Sequence, residues 1–379
     1  MRLNWACGCW GESRMTDWKY KLKQSLFSFR DPLIAVLISL LIGGIAIAAK
    51  GEPIGATYAL MFKGAFGNMH YLASTLVGVS SVVICGMAVA VAWRCGYVNL
   101  GVEGQMMWGG LTAALVAVRL PGPPVVVILI AIFSGMVTAA FYATIVAWLY
   151  DKFRASMVIT TIMMNYIAKA LSFYLVQYHF LDPNLSDTAA VKTQAIDRSI
   201  RLPRIFPQFN LHIGFIVALA SVAFFWWLFK YTRFGYRSKI CGLNPNFAEY
   251  GGIDKRKLLY TTMALSGAVA GLAAGLEVLG TRYCYLDNMF GTSGYAWTGI
   301  TAALMSRHNP IVILLSSIFL YGLNTGCAAV QRSTTIPVEV SNIIQGVITL
   351  LVSVQFTVEW NRHATKAGDS RKEAGSNES

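Results

Sequence analysis

Long apolar runs alternate with short polar stretches along this chain of 379 residues. The longer runs lie at about 33–49, 72–93, 104–118, 124–150, 156–178, 213–229, 258–281, 310–330 and 337–358, and a shorter run lies at 295–305. A helix that crosses a bilayer needs about 20 predominantly apolar residues. The pattern therefore predicts an all-α, polytopic helical membrane protein with about ten membrane segments.

The composition agrees with a membrane protein and excludes two other classes. Hydrophobic residues make up 55% of the chain and charged residues 13%, whereas soluble domains carry about 25% charged residues. A disordered chain would have low hydrophobicity. We expect one transmembrane domain over 33–358, preceded by a basic cytoplasmic segment at 1–32 and followed by a polar cytoplasmic tail at 359–379.

The distribution of basic residues predicts the orientation. The chain has 31 Lys and Arg against 18 Asp and Glu. If the N-terminus is inside, 21 basic residues fall inside and nine outside, with Lys169 within a span. Because cytoplasmic loops concentrate Lys and Arg, we expect both termini in the cytoplasm, the 179–212 loop outside and the basic 230–257 loop inside. The excess charge then requires no nucleic-acid partner.

The sequence lacks the motifs of common energy-converting and hydrolytic sites. It contains no Gly-Lys dipeptide and hence no P-loop, and neither H-E-x-x-H nor G-x-S-x-G occurs. The seven cysteines do not form a disulfide framework, although Cys7 and Cys9 leave open either ordinary thiols or a metal-binding pair. We expect a transport protein rather than an enzyme, without its own cofactor or metal.

Two apolar regions are interrupted by glycines next to polar residues, at 96–105 and at 291–299. Each interruption follows two or three spans of its half of the chain, which predicts an internal repeat. In transporters such segments mark discontinuous helices that line a polar cavity at mid-membrane depth. The alternative is an ordinary turn between two helices.

Several polar residues lie within or beside apolar runs. Glu103, Lys169 and Glu277 should face protein or water, because charges are costly in lipid. Glu277 follows a stripe of small residues, Gly267, Gly271 and Gly275, that lets helices approach closely. We interpret Glu277 as a packing or interfacial carboxylate. For Asn165, a bond to a neighbouring helix and a contact with a polar solute remain equally open.

Five segments together resemble one family. Residues 99–105 (NLGVEGQ), 161–168, 266–280 (SGAVAGLAAGLEVLG) and 299–304 followed by Asn309-Pro310 are similar to segments of permease subunits of bacterial ABC importers. The branch is the one that serves simple sugars, nucleosides and branched-chain amino acids. Residues 242–253 (GLNPNFAEYGGI) resemble its cytoplasmic coupling segment. The resemblance runs from about 33 to 357, with local departures at Leu243 and Phe247.

The resemblance implies a set of partners. Such a subunit pairs with an identical or related permease, sits on two ATPase modules that bind the ATP, and receives its solute from an extracytoplasmic binding protein. It lies in the bacterial cytoplasmic (inner) membrane, in contact with lipid. The residues that the resemblance assigns to ATPase coupling are Gly242, Asn244, Pro245, Phe247, Ala248, Tyr250, Gly251 and Gly252.

The resemblance favours a nucleoside as solute, then a simple sugar, with riboflavin also compatible. Such neutral, ring-shaped solutes need hydrogen-bonding and aromatic side chains along their path. The predicted path residues are Asn99, Gln105, Asn165, Trp297 and Thr298. Glu103 is predicted to hold the broken backbone, because free amides at a helix start favour a carboxylate. The alternative function is a stand-alone proton- or sodium-driven transporter that uses Glu103 and Glu277.

Overall fold

A computed structural model describes residues 34, 36–45, 47–183, 190–334 and, from 339 to 351, all except 341, 345 and 348. These residues divide into two compact units, one formed by 53–338 and the other by parts of 1–52 and 339–379. The predicted site residues all belong to the first unit. The cysteines at 7 and 9, the segment 1–32 and the tail 359–379 lie outside the described residues.

The described residues are helical, apart from loops and two isolated β-bridges. In the smaller unit, short apolar helices cover Val36–Ile45 (α1) and Asn342–Leu351. The larger unit contains α2 (Ile54–Phe66), α3 (Met69–Arg94), α4 (Val102–Arg119), α5 (Pro124–Phe153), α6 (Met157–His179), α7 (Gly214–Tyr231), α8 (Arg233–Leu243), α9 (Pro245–Tyr250), α10 (Lys255–Glu277), α11 (Met289–Ser293), α12 (Tyr295–Met305) and α13 (Pro310–Gln331). A π-helical turn, Val278–Arg282, continues α10.

Within the described residues, six helices are long and apolar enough to cross a membrane: α3, α5, α6, α7, α10 and α13. They coincide with predicted apolar runs, so the prediction of an all-helical, multi-pass protein is confirmed. The predicted number of about ten segments is not confirmed. Helix α12 has only 11 residues, α1 and the helix Asn342–Leu351 are also too short, and α4 is long enough but is not among the six. Helix α2 begins among polar residues and was not predicted. The internal repeat stays a prediction.

The spans differ in how deeply they are buried. The most apolar window of α3 is 94% buried and that of α10 is 78% buried, whereas those of α5, α6 and α7 are each 28% buried. Helices α3 and α10 therefore form the centre of the unit. The outer helices expose large apolar side chains such as Phe133, Tyr166 and Trp227, as expected for surfaces that face lipid.

Small residues bring α4, α5 and α10 into close contact. A Cβ atom at Gly267 would lie 2.5 Å from the carbonyl oxygen of Ala139, and one at Gly271 would lie 2.5 Å from that of Gly135. A Cβ at Gly109 of α4 would lie 2.8 Å from Gly271 Cα. The predicted small-residue stripe thus forms a helix contact that larger side chains would open.

Residues 190–212 of the predicted outside loop pack along the chain that follows α10. Thr193 N donates to Tyr285 O at 2.9 Å and Ile196 N donates to Tyr283 O at 2.7 Å. His212 is buried, accepts a hydrogen bond from Gly214 N on Nδ1 and lies with Nε2 3.3 Å from the Thr281 hydroxyl. Burial, followed by the charge of Arg204, lowers the pKa of His212 to about 4. The imidazole is therefore neutral near pH 7.

Candidate functional site: the broken helices and the coupling segment

The connection between α3 and α4 runs beside α10. Cys95 Sγ lies 3.3 Å from Thr262 Oγ1, and Asn99 Nδ2 donates to Ser266 Oγ at 2.9 Å. Ser266 is the twelfth of the 23 residues of α10. Helix α4 consequently starts beside the middle of a long apolar helix, which fits a broken helix at mid-membrane depth better than a turn at the membrane surface.

Two amides and one hydroxyl form a neutral cluster at the start of α4. Gln105 Nε2 donates to Asn99 Oδ1 at 3.2 Å, and Asn99 Nδ2 lies 3.3 Å from Gln105 Oε1. The Ser266 hydroxyl donates to the carbonyl of Ala88 at 2.6 Å. Asn99, Gln105 and Ser266 are fully buried. Because their polar atoms bond one another, the cluster ties α3, α4 and α10 together without any charge.

Asn165 of α6 supplies hydrogen bonds to the broken backbone. Its Oδ1 accepts from Gly104 N at 2.8 Å, and its Nδ2 donates to Leu100 O at 3.0 Å. The first amides of a helix lack intrahelical partners, and buried groups of this kind are costly when unbonded. A Cβ at Gly104 would lie 2.9 Å from Asn165 Oδ1, so the close approach requires glycine.

The second glycine-broken segment consists of a short helix, one residue in the left-handed backbone conformation, and another helix. Helix α11 ends at Ser293, Gly294 has φ +64°, and α12 begins at Tyr295. Only glycine adopts this conformation without steric cost. The turn separates α11 from α12 and places Trp297 in the first turn of α12.

The two broken segments meet through one hydrogen bond. Trp297 Nε1 donates to Glu103 Oε2 at 2.7 Å, which joins the first turns of α4 and α12. Trp297 is 47% exposed, while the other four predicted path residues, Asn99, Gln105, Asn165 and Thr298, are each less than 9% exposed. The carboxylate of Glu103 lies in the first turn of α4 and bonds this indole, while Asn99 and Asn165 accept from the broken backbone. The role predicted for Glu103 stays a prediction.

Glu277 is buried in a second polar cluster. Its Oε2 accepts from the Ser81 hydroxyl at 3.0 Å, and its Oε1 accepts from the Tyr295 hydroxyl at 3.1 Å. Arg282 Nε lies 3.7 Å from Oε1. These contacts connect α3, α10 and α12, and the cation partly compensates for the buried charge. Glu277 is thus a packing carboxylate inside the unit rather than at its surface.

The predicted coupling segment forms the short helix α9 between α8 and α10. The Asn244 side chain accepts from Asn246 N and Phe247 N at 3.1 Å each, and Pro245 occupies the first helical turn. Such a cap and proline are favourable at a helix start. Gly252 has φ +75°, which ends the helix and turns the chain toward α10.

One face of α9 is buried and the other is exposed and apolar. Ala248 is fully buried and packs with Cys95, Cys241 and Leu258. In contrast, Phe247 and Tyr250 of α9 are 63% and 93% exposed, and Leu243, the last residue of α8, is 71% exposed. Gly242 packs against the carbonyl of Arg94, whereas Gly251 and Gly252 are exposed. An exposed apolar row on an anchored helix is a surface suited to a protein partner.

The sequence interpretation missed several polar partners. Ser81, Thr161, Ser266 and Tyr295 lie in apolar runs, where their side chains carry no obvious signal. Each is nonetheless bonded to a predicted residue or its backbone: Thr161 Oγ1, for example, lies 3.4 Å from Leu100 N as an acceptor. The usable signal is the spacing of small hydroxyl residues along a helix that also carries Gly or Ala.

A family model matches residues 71–353 of this chain, and its description is "Branched-chain amino acid transport system / permease component". The match covers more than half of the sequence and includes both broken segments and α9. The chain belongs to this family. It is the permease component of an ABC importer, a transport component rather than an enzyme, and a multi-pass membrane protein. Family membership also favours this function over a stand-alone proton- or sodium-driven carrier.

Three curated relatives of this ABC importer permease span nearly its whole length. A guanosine ABC transporter permease of Bacillus subtilis is 30% identical and covers 87% of this chain and 94% of its own length. A nucleoside ABC transporter permease of Lactococcus lactis is 29% identical, over 91% of this chain and 96% of its own. A glucose ABC transporter permease of Haloferax volcanii is 27% identical, over 87% and 88%.

Proposed function

We propose that this ABC importer permease forms the translocation path for a nucleoside, with a simple sugar as the second candidate. The main support is its similarity to the guanosine and nucleoside permeases over about nine-tenths of the chain. The glucose permease is similar over nearly the same length, which keeps the sugar as the alternative. A planar base and a hydroxyl-rich ring both suit a path with aromatic and hydrogen-bonding groups.

The path residues that we propose fall into two groups. Trp297 is half-exposed and bonded to Glu103. The pair presents the indole face of Trp297 and a carboxylate oxygen of Glu103 to a passing solute. Asn99, Gln105, Asn165 and Thr298 lie beneath them and hold the two helix starts in position. An aromatic face stacks on a nucleobase with a favourable free energy of about 1–3 kcal/mol, whereas a sugar offers a smaller contact.

Competition between labelled and unlabelled compounds tests which solute the importer takes up. Cells that depend on this importer take up radiolabelled guanosine, and a hundredfold excess of unlabelled adenosine or uridine should reduce the uptake strongly. Equal excesses of ribose and glucose should leave it unchanged. If glucose or ribose competes and the nucleosides do not, the sugar is the solute and the nucleoside proposal is wrong.

The partners that we propose follow from the family. An ATPase subunit binds ATP and contacts α9, a second permease subunit of the same or a related sequence completes the membrane part, and an extracytoplasmic binding protein delivers the solute. We place the protein in the bacterial cytoplasmic membrane with both termini inside. The 21 basic residues on that side support this orientation.

The exposed row of α9 is the proposed ATPase contact. A packed contact would exclude a bulky charge at Gly251, yet the free permease should tolerate it, because a Cβ there meets only ordinary contacts from 3.4 Å. We expect Gly251→Arg to insert and fold normally but to lose uptake and solute-stimulated ATP hydrolysis. Phe153→Ala, an exposed apolar residue at the end of α5, is the control and should retain both activities. Normal uptake by Gly251→Arg would leave α9 without a coupling role.

A further inference from the structure

A strongly basic cavity of about 510 Å³ lies between the ends of α3 and α7, helix α8 and the start of α13. The charged side chains that line it are Arg94, Lys230, Lys239 and Arg307, and no Asp or Glu side chain is among its lining residues. The cavity is separate from the exposed row of α9 and from the Trp297–Glu103 pair, since none of those residues lines it.

Three of the four cavity cations form no ion pair with an acidic residue among the described residues. Within the part of the chain that the structure describes, no salt bridge joins Arg94, Lys230 or Lys239 to an acidic residue. Aromatic rings hold two of them: Arg94 Cζ lies 4.6 Å from the centre of the Phe229 ring, and Lys230 Nζ lies 4.8 Å from that of Trp226. The buried Arg94 Nε has no hydrogen-bond partner among the described residues. A cavity with like charges gathered in this way favours an anion.

The backbone adds to the positive potential. Asn309 and Pro310, the N-cap and first residue of the 22-residue helix α13, both line the cavity. A helix N-terminus carries about half a positive charge from its aligned peptide dipoles, and its free amides point toward an approaching anion. Charged side chains from three other helix ends therefore act together with a helix dipole on one volume.

The surroundings of the cavity indicate a membrane interface. Trp226, which lines it, belongs to α7, and the same helix exposes Phe224 and Trp227 at 49% and 50%. Tryptophan and tyrosine are enriched where the bilayer meets water. The basic residues are on the side that the charge distribution assigns to the cytoplasm, where the leaflet is rich in anionic lipid.

We propose that this cavity binds the phosphate headgroup of an anionic phospholipid from the cytoplasmic leaflet. The four cationic side chains and the start of α13 contact the phosphate, and the exposed apolar side chains of α7 contact the acyl chains. Inorganic phosphate shares the charge but not the acyl chains, so a lipid gains contacts with Phe224 and Trp227 that free phosphate lacks.

Native mass spectrometry of the full-length chain tests this proposal. The protein in neutral detergent is titrated with phosphatidylglycerol, with phosphatidylcholine and with inorganic phosphate, and the bound molecules are counted. We expect one phosphatidylglycerol to bind more tightly than the rest, and phosphatidylcholine to show no such site. Lys230→Gln with Lys239→Gln should weaken that site about 5-fold for each lysine removed, and both side chains are exposed enough for the fold to tolerate the change.

The matched control is Arg237→Gln with Lys257→Gln, which removes two exposed cytoplasmic-side cations that do not line the cavity. If the control variant weakened phosphatidylglycerol binding equally, the effect would come from general surface charge and the proposal would be wrong. Displacement of the lipid by millimolar inorganic phosphate would instead identify a free-phosphate site. Undiminished phosphatidylglycerol binding by the Lys230/Lys239 variant would remove the cavity as the site.

Discussion

The two glycine-broken segments are held by different kinds of chemistry. The first, before α4, is fixed by neutral amides from Asn99, Gln105 and Asn165, and all three are buried. The second, before α12, is bonded by carboxylates, Glu103 to Trp297 and Glu277 to Tyr295, and the π-helical turn that precedes it contacts His212. The first is thus suited to permanent support, while the second presents an exposed group, Trp297, to the solvent or solute.

Removal of Asn165 should have the largest effect and should act on stability. Asn165→Ala leaves the Gly104 amide and the Leu100 carbonyl without their partner, at an expected cost of about 2–4 kcal/mol. The melting temperature of the purified permease measures this loss. Thr160→Ala on α6, which removes only a solvent-exposed hydrogen bond to Ser156 O, should change it little. A stable Asn165→Ala protein would show that the first segment is not held as we describe.

Acidification should loosen the π-helical turn Val278–Arg282, which His212 contacts, and should leave the first segment unchanged. The pKa of His212 is lowered from 6.5 to about 4 in the folded protein, so an opened form takes up a proton between these values while the folded form does not. Stability conferred by neutral His212 is complete above pH 6.5 and decreases as the pH falls toward 4, by at most about 1.4 kcal/mol per pH unit.

Hydrogen exchange of the π-helical turn and of the first segment checks this pH dependence. After correction for the intrinsic exchange rate, protection should fall at 279–285 between pH 6.5 and 4.5 and should remain constant at 99–105. His212→Gln keeps a polar side chain at this position and should abolish the difference. An equal loss of protection in the π-helical turn and in the first segment would contradict a specific effect of His212 on the turn.

The Trp297–Glu103 hydrogen bond should matter for transport more than for folding. Trp297→Phe retains an aromatic face but cannot donate to Glu103, so we expect uptake to fall about tenfold, the equivalent of about 1.4 kcal/mol, with an unchanged melting temperature. Trp227→Phe, a similarly exposed tryptophan on α7, is the matched control for uptake. A lower melting temperature with normal uptake would assign Trp297 a purely structural role.

The smallest effect is expected at Gly294. Its φ of +64° is strained for any residue with a Cβ, although there is open space around it, so Gly294→Ala should destabilise the protein by about 1 kcal/mol. Gly55→Ala, inside helix α2 and also in open space, should instead stabilise it by about 0.5–1 kcal/mol. Opposite signs in two thermal denaturation curves therefore test the backbone at the second break.

The sequence predicted the spans better than the contacts between them. Apolar runs gave α3, α5, α10 and α13 to within a few residues, because apolar length alone determines a membrane span. The meeting of Glu103 with Trp297 could not be predicted, since the two are separated by 194 residues and no local pattern specifies which helix starts adjoin. Asn165 is recognisable in the sequence as a polar residue within an apolar run. Its hydrogen-bond partners are backbone atoms, however, which the side-chain composition does not reveal.

Helix α10 also has a mechanical consequence. Its first residue, Lys255, lies near α9, and its last residue, Glu277, is bonded to Tyr295 of α12. Between them, Gly267 and Gly271 press directly on α5. At about 1.5 Å per residue, this fulcrum lies about 21 Å from Lys255 and about 12 Å from Glu277. A rigid rod on such a pivot reverses the direction of motion and shortens the stroke: a push of about 3 Å at the Lys255 end would swing the Glu277 end about 2 Å the opposite way.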